Sequence, residues 1–180
     1  MELREAILSR RSIRRFTDQP IERETIERIV AAAAYAPSWK NTQITRYTVV
    51  TDKALLERIA EECVLGFAGN TAILKNCAAL AVQSVIKGRS GYERDGSFTT
   101  AKGDRWESFD AGISAQTFCL AAHELGVGTC ILGIFDDEKL GEAVGIPEGQ
   151  TVTALIPMGY AAETPKAPRR KDVSELVRFL

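Results

Sequence analysis

Residues 107–133 read ESFDAGISAQTFCLAAHELGVGTCILG. The run from Glu107 to Leu125 is long and mostly apolar, and Gly126 stands where such a helix would end. Glycine takes the left-handed conformation of a C-terminal cap without steric cost. The pattern predicts a helix with apolar residues around much of its circumference, and such a helix belongs at the centre of a fold. Thr129 to Gly133 then reads as a strand.

The flanking segments mix both periods. Ala78 to Val85 is a continuous apolar run, the signature of a strand buried on both faces. Tyr47–Thr51 and Thr151–Gly159 also read as strands. Ile26, Ile29, Val30 and Ala33 recur at helical spacing within Glu22–Tyr35, and Pro37 explains the stop. Residues 2–10 and 53–63 read as helices, 136–144 as a helix N-capped by Asp136, and 70–76 as helical or turn-like. The order is not a regular βαβ alternation. The expectation is α+β: one domain over 1–180, a small sheet with helices packed on it.

Composition narrows the function. With 180 residues, 45% hydrophobic and 26% charged, the chain can bury a core and is not disordered. A net charge of −1 argues against a dedicated nucleic-acid binder. Gln116, His123 and Glu124 interrupt the most apolar stretch, so no membrane span is expected. Glu2 and Glu5 sit where a leader would be apolar or basic, so the expected location is the cytoplasm. Cys63, Cys77, Cys119 and Cys130 lack C-x-x-C spacing and read as buried thiols. His123 is the one histidine and reads as a packing residue, so no metal site is expected.

The basic residues are unevenly placed. Arg10, Arg11, Ser12, Ile13, Arg14, Arg15 and Phe16 put four arginines in six positions, and Arg169, Arg170 and Lys171 form a second cluster. Arginine's planar fork matches phosphate oxygens, so the clusters could converge on one anion. Taken alone, the first cluster reads rather as a solvated basic face. Residues 87–105 alternate Gly with charged and small polar residues, a long connection of the kind used as a binding loop or a plain linker.

Five segments, in order, resemble the FMN-dependent nitroreductase family: RRSIRRF at 10–16, APSWKNTQ at 36–43, Asn70 before an apolar run, Asp110–Gly133, and PKAPRRK at 165–171. The resemblance covers nearly the whole chain. It implies a central, mostly antiparallel sheet flanked by helices and an intertwined homodimer with FMN at the subunit interface. Arg10, Arg11 and Ser12 match phosphate and ribityl positions; Arg14 matches the cation beside the flavin pyrimidine. Arg170, with Arg169 beside it, matches the second phosphate arginine. Pro37, Ser38 and Asn41 match a loop reaching the other subunit's flavin. Asn70 matches the residue facing the pyrimidine, and Leu132 and Gly133 the strand end near N5. No side chain is a catalyst by this reading; the cofactor carries the chemistry. NADH or NADPH would donate hydride, and a nitroaromatic, quinone or related small molecule would accept electrons in ping-pong order. Residues 87–105 would form a lid, and the tail 161–180 would dock on the partner.

The chain departs from the family pattern at Trp39 and Lys40, where small residues are common, and at Ile44 and Thr45 after Gln43. A further basic position falls at Ile73. The readings that stay open are a specialised flavoenzyme of the same fold (a dehalogenase or flavin-fragmenting enzyme), a non-enzymatic flavin or redox-partner protein, and a basic-patch module. Asn70 could cap a helix, and Asp110 could pair with an arginine.

Overall fold

A computed structural model describes all residues, 1–180. Its helices are α1 (Leu3–Ser9), α2 (Arg23–Ala33), α3 (Lys53–Glu62), α4 (Ala68–Asn76), α5 (Arg105–Glu124), α6 (Asp137–Val144) and α7 (Val173–Leu176). Its strands are β1 (Thr45–Val50), β2 (Ala79–Ile86), β3 (Gly128–Thr129) and β4 (Gln150–Gly159). The sheet runs β1-β2-β4-β3 and every neighbouring pair is antiparallel, so the fold is α+β. No helix is long and apolar enough to cross a membrane.

The sheet separates two apolar layers. Side chains alternate along a strand, so β2 sends Ala79 and Ala81 one way and Leu80 and Val82 the other. The first set joins Ile26 and Ile29 of α2 and Phe118 and Ala122 of α5. The second joins Leu56 and Ile59 of α3, Leu74 of α4 and Leu140 of α6. Parity slips once on β4, where Gln83 pairs with Ala154 and Ser84 with Val152. Thr153 is the extra residue, and its hydroxyl donates to Gln83 (3.1 Å to Oε1). That bulge puts Val152 and Leu155 in one layer and Ile156 and Met158 in the other.

Caps act where the sequence placed them. Asp136 accepts from Lys139 N at 3.1 Å, and Gly126 takes φ +76° after α5. Two expectations need correction. The strand after α5 is regular only over Gly128–Thr129, not to Gly133. Cys130 N donates to Pro157 O, but Pro157 has no N–H to complete the pair, and the ladder breaks. The helix α5 covers one face of the sheet, with Phe109, Gly112 and Gln116 on its exposed side, so within the single chain it is peripheral on that side.

The arginine segment lies along the far edge of the sheet. Ile13 N donates to Thr129 O (2.9 Å), Thr17 N to Tyr160 O (2.8 Å), and Ala162 N to Arg15 O (2.9 Å). Ile13 and Phe16 are buried, while Arg14 and Arg15 face outward. Two glycines permit this approach. A Cβ on Gly128 would stand 2.8 Å from Ile13 Cγ1, and one on Gly159 would stand 2.9 Å from three Phe16 carbons. Gly159→Ala is therefore expected to push the segment off the sheet and destabilise the protein by about 1–3 kcal/mol. Urea unfolding checks the stability, and amide exchange at residues 12–17 checks the displacement.

Candidate functional site

Residues 160–163 pair with the arginine segment and carry the tail to it. Glu163 Oε1 accepts from Arg14 N (2.7 Å) and Arg15 N (3.2 Å), a tie that nothing in the sequence pattern marks. Arg10, Arg11, Thr129, Thr164 and Pro165 then line one cleft of about 510 Å3. Arg11 is fixed by its donation to Leu8 O (2.7 Å) and Arg10 O (2.8 Å). The Arg10 side chain enters no hydrogen bond or ion pair within the chain, which leaves a free cation there. The chain leaves this cleft at Pro165, four residues before Arg169. Arg169 and Arg170 are exposed and enter no ion pair. His123 also lines the cleft and hydrogen-bonds Ser9 at 2.8 Å; burial, then Arg10 and Arg11, push its pKa down. Packing alone does not describe it.

A second cleft, about 600 Å3, opens between α4 and residues 130–134 and brings together Arg14, Asn70, Leu132 and Gly133. The α4 helix begins after Phe67, so Asn70 is inside it and not a cap. Its buried amide donates to Ile134 O (2.9 Å) and ties the helix to the loop. A Cβ on Gly133 would meet nothing within 4 Å, so the backbone there faces open space. Ser12 lies between the two clefts, bridged to Thr129.

Pro37 and Ser38 are elsewhere. With Tyr47, Asp110 and Ser114 they line a third, smaller cleft on the α2–α5 side of the sheet. Their loop is held by Asp110, a buried carboxylate within the apolar run of α5. It accepts from Trp39 N (3.0 and 3.1 Å) and from the Ser90 hydroxyl (2.6 Å), and Ser90 meets Thr42 at 2.7 Å. Asp110 thus pairs with no arginine; it joins two loops. Lys40, Asn41 and Gln43 all have positive φ (44°, 56° and 50°). A cluster of such strained non-glycine residues persists only where the surroundings fix it. Asn41 is exposed and accepts from Gln43 Nε2 at 3.3 Å.

The expected site residues therefore fall into two groups that one chain does not bring together. The Arg10 cleft meets α5 at His123, the Pro37 loop meets it at Asp110, and thirteen residues separate these anchors, about 20 Å of helix. Asn70 and Pro37 lie in layers on opposite sides of the sheet.

Residues 87–105 are tied down by their own bonds. Thr99 N donates to Gly91 O (2.9 Å) and Glu93 N to Ser97 O (2.8 Å). Glu107 accepts from Gly88 N at 2.6 Å, and its burial raises its pKa. All four cysteines are buried and free, and burial raises each thiol pKa, that of Cys77 to about 12.

The Nitroreductase family model matches residues 7–160. A protein of Archaeoglobus fulgidus, 33% identical across 86% of this chain and 82% of its own, carries a provisional name joining NADH dehydrogenase and NAD(P)H nitroreductase. The NADPH-flavin oxidoreductase of Vibrio harveyi is 29% identical across 92% of this chain and 68% of its own. Among solved structures, an FMN-dependent nitroreductase from Clostridium difficile superposes with a TM-score of 0.76 at 29% identity, covering 98% of each chain.

Two outcomes follow from the clamp and the buried acid. Asp110→Ala removes the acceptor of the part-buried Trp39 N–H and leaves the Ser90 hydroxyl only Thr42, and is expected to cost roughly 1–3 kcal/mol in urea unfolding. Folded Glu107 keeps its proton to higher pH than the unfolded chain does. Its contribution is full in acid and is lost as pH rises from the ordinary glutamate pKa of about 4.3 through the raised value. Glu107→Gln, which still accepts from Gly88, is expected to flatten the stability profile over that window. Thermal melts from pH 4 upward (about pH 4 to 7) read it.

Proposed function

The chain belongs to the nitroreductase family, and from that premise we propose a homodimeric FMN-dependent oxidoreductase. It takes reducing equivalents from NADH or NADPH and reduces a nitroaromatic, quinone or related small-molecule acceptor. The observation that carries this reading is the separation of the two residue groups. Arg10 lines one cleft and Arg14, Asn70 and Gly133 a second, while Pro37 and Ser38 line a third, across the sheet from Asn70 and about 20 Å along α5 from the Arg10 cleft. A second copy is the simplest way to complete either half. The exposed Val173, Leu176, Phe179 and Leu180 of the tail supply apolar surface that a partner would cover.

The residues present fit FMN. An unpaired Arg10 in a basic cleft suits a phosphate, and the open space over Gly133, bordered by Leu132 and Ile73, suits a flat ring. Arg10, Arg11 and Ser12 would hold the phosphate and ribityl chain, with Arg169 and Arg170 closing from the tail. Asn70 would face the pyrimidine edge while keeping Ile134 in place. Arg14 would set a cation beside that edge and raise the reduction potential by favouring the more negative state. Leu132 and Gly133 would let backbone approach the ring, and Pro37, Ser38 and Asn41 would wall the site from the other subunit. Residues 87–105 would serve as the lid. When bound, FMN supplies two-electron chemistry: hydride acceptance at N5 and delivery to the acceptor.

The purified protein is expected to be yellow, with about one FMN per chain released on denaturation. Arg10→Ala combined with Arg170→Ala removes two charge-assisted contacts, each worth roughly 1.5–3 kcal/mol, and FMN is expected to be lost on dialysis. Full occupancy in the double variant would overturn the phosphate assignment. A colourless protein that takes up no added FMN would overturn the function.

A further inference from the structure

Three aromatic rings stand immediately beyond Ser38. The Trp39 and Trp106 ring centroids are 4.7 Å apart, and Phe109 meets Trp106 edge-on at 5.3 Å. Trp106 and Phe109 are three residues apart on α5 and so share a face. Trp39 is held against them because Asp110 fixes its backbone N–H. The indole N–H of Trp106 donates to Thr100 (3.1 Å), which anchors that ring to the 87–105 segment. Phe109 remains 53% exposed, so the wall has an open side.

Cations crown this wall. Lys102 Nζ stands 4.4 Å from the Trp106 ring centre and 5.9 Å from that of Phe109. Lys40 lies 5.6 Å from the Trp39 ring, but Glu93 neutralises it at 3.1 Å. Of the nearby carboxylates, Glu107 is engaged with Gly88 N and Asp110 with Trp39 and Ser90, while Asp104 is exposed and forms no ion pair with Lys102. Arg105 turns its guanidinium to the carbonyls of Lys102 and Ala101. Lys102 enters none of the chain's ion pairs and is the cation left free over exposed aromatic surface.

We propose that Trp39, Trp106 and Phe109, with Lys102 above them, recognise the oxidised acceptor and select planar aromatic molecules bearing an anionic substituent such as a carboxylate or sulfonate. The inference rests on the flavin-oxidoreductase reading, because Pro37 and Ser38 of the same loop are what would bring this wall to the partner's flavin. Aromatic rings supply stacking surface that any planar acceptor can use. The free ammonium separates charged from neutral members of that class.

The test compares 4-nitrobenzoate with 4-nitrobenzamide, which share ring and nitro group and differ in charge. With the FMN-loaded enzyme and saturating NADH or NADPH, kcat/KM is expected to favour the benzoate by about fivefold, the scale of one exposed ion pair. The preference is expected to fall towards one in Lys102→Gln, to persist in Lys102→Arg, and to shrink in about 0.5 M KCl. Trp106→Leu is expected to raise KM for both acceptors. A ratio of one in the unaltered enzyme, or a preference that survives Lys102→Gln, overturns the assignment while leaving the oxidoreductase reading intact. Failure of both NADH and NADPH to reduce bound FMN overturns that reading instead. Equilibrium dialysis of the two acceptors against the unaltered protein and Lys102→Gln then decides the wall's selectivity without turnover.

Discussion

Both faces of β2 are dry, and most of the architecture follows from that constraint. A strand with Leu80 and Val82 on one side and Ala79 and Ala81 on the other needs an apolar layer on each. The layers α2–α5 and α3–α4–α6 meet that need, and the sheet becomes a wall between them. Small side chains on the α2–α5 side leave room for Phe118 and the Tyr47 ring, stacked at 4.9 Å. The same wall keeps the Pro37 loop away from Asn70 and Gly133, so the division of the site is a by-product of how β2 is buried.

Positioning is done largely by backbone approach and by carboxylates that accept from backbone N–H groups. Gly128 and Gly159 admit the arginine segment to the sheet edge, after which alternation turns Arg14 outward and Ile13 inward. Asp110 uses its two oxygens to tie the strained 38–43 loop to Ser90. The charged groups available for ligands are those without internal partners, Arg10 and Lys102 among them. A protein whose cofactor performs the reaction needs this arrangement more than it needs an acid or a nucleophile.

The element order was largely legible in the sequence, because periodicity, Pro37, Asp136 and Gly126 are local signals that tertiary packing did not override. The strand expected to reach Gly133 stops at Thr129, because the missing N–H belongs to Pro157, far away in the sequence. The residues of the candidate clefts were legible only through family resemblance. Their grouping was not, since which side of a sheet a loop occupies depends on the whole topology. Glu163 carried no advance label, being an acid in a polar tail, and Asp110, an acid in an apolar helix, was read only as a possible partner for an arginine. Asp110 at least broke the hydrophobic pattern, and a buried acid must find donors.

The burial of the four cysteines has a bearing on self-protection. Quinones are electrophiles as well as oxidants, and thiolates are what they alkylate. Cys130 lines the cleft that holds Arg14 and Gly133, where such a molecule would pass. Its thiol is buried and its pKa is raised, so little thiolate is present at neutral pH. An enzyme of the proposed kind would therefore present little thiolate to the electrophilic acceptors it reduces. The apolar packing that stabilises the fold also keeps its sulfur atoms chemically silent.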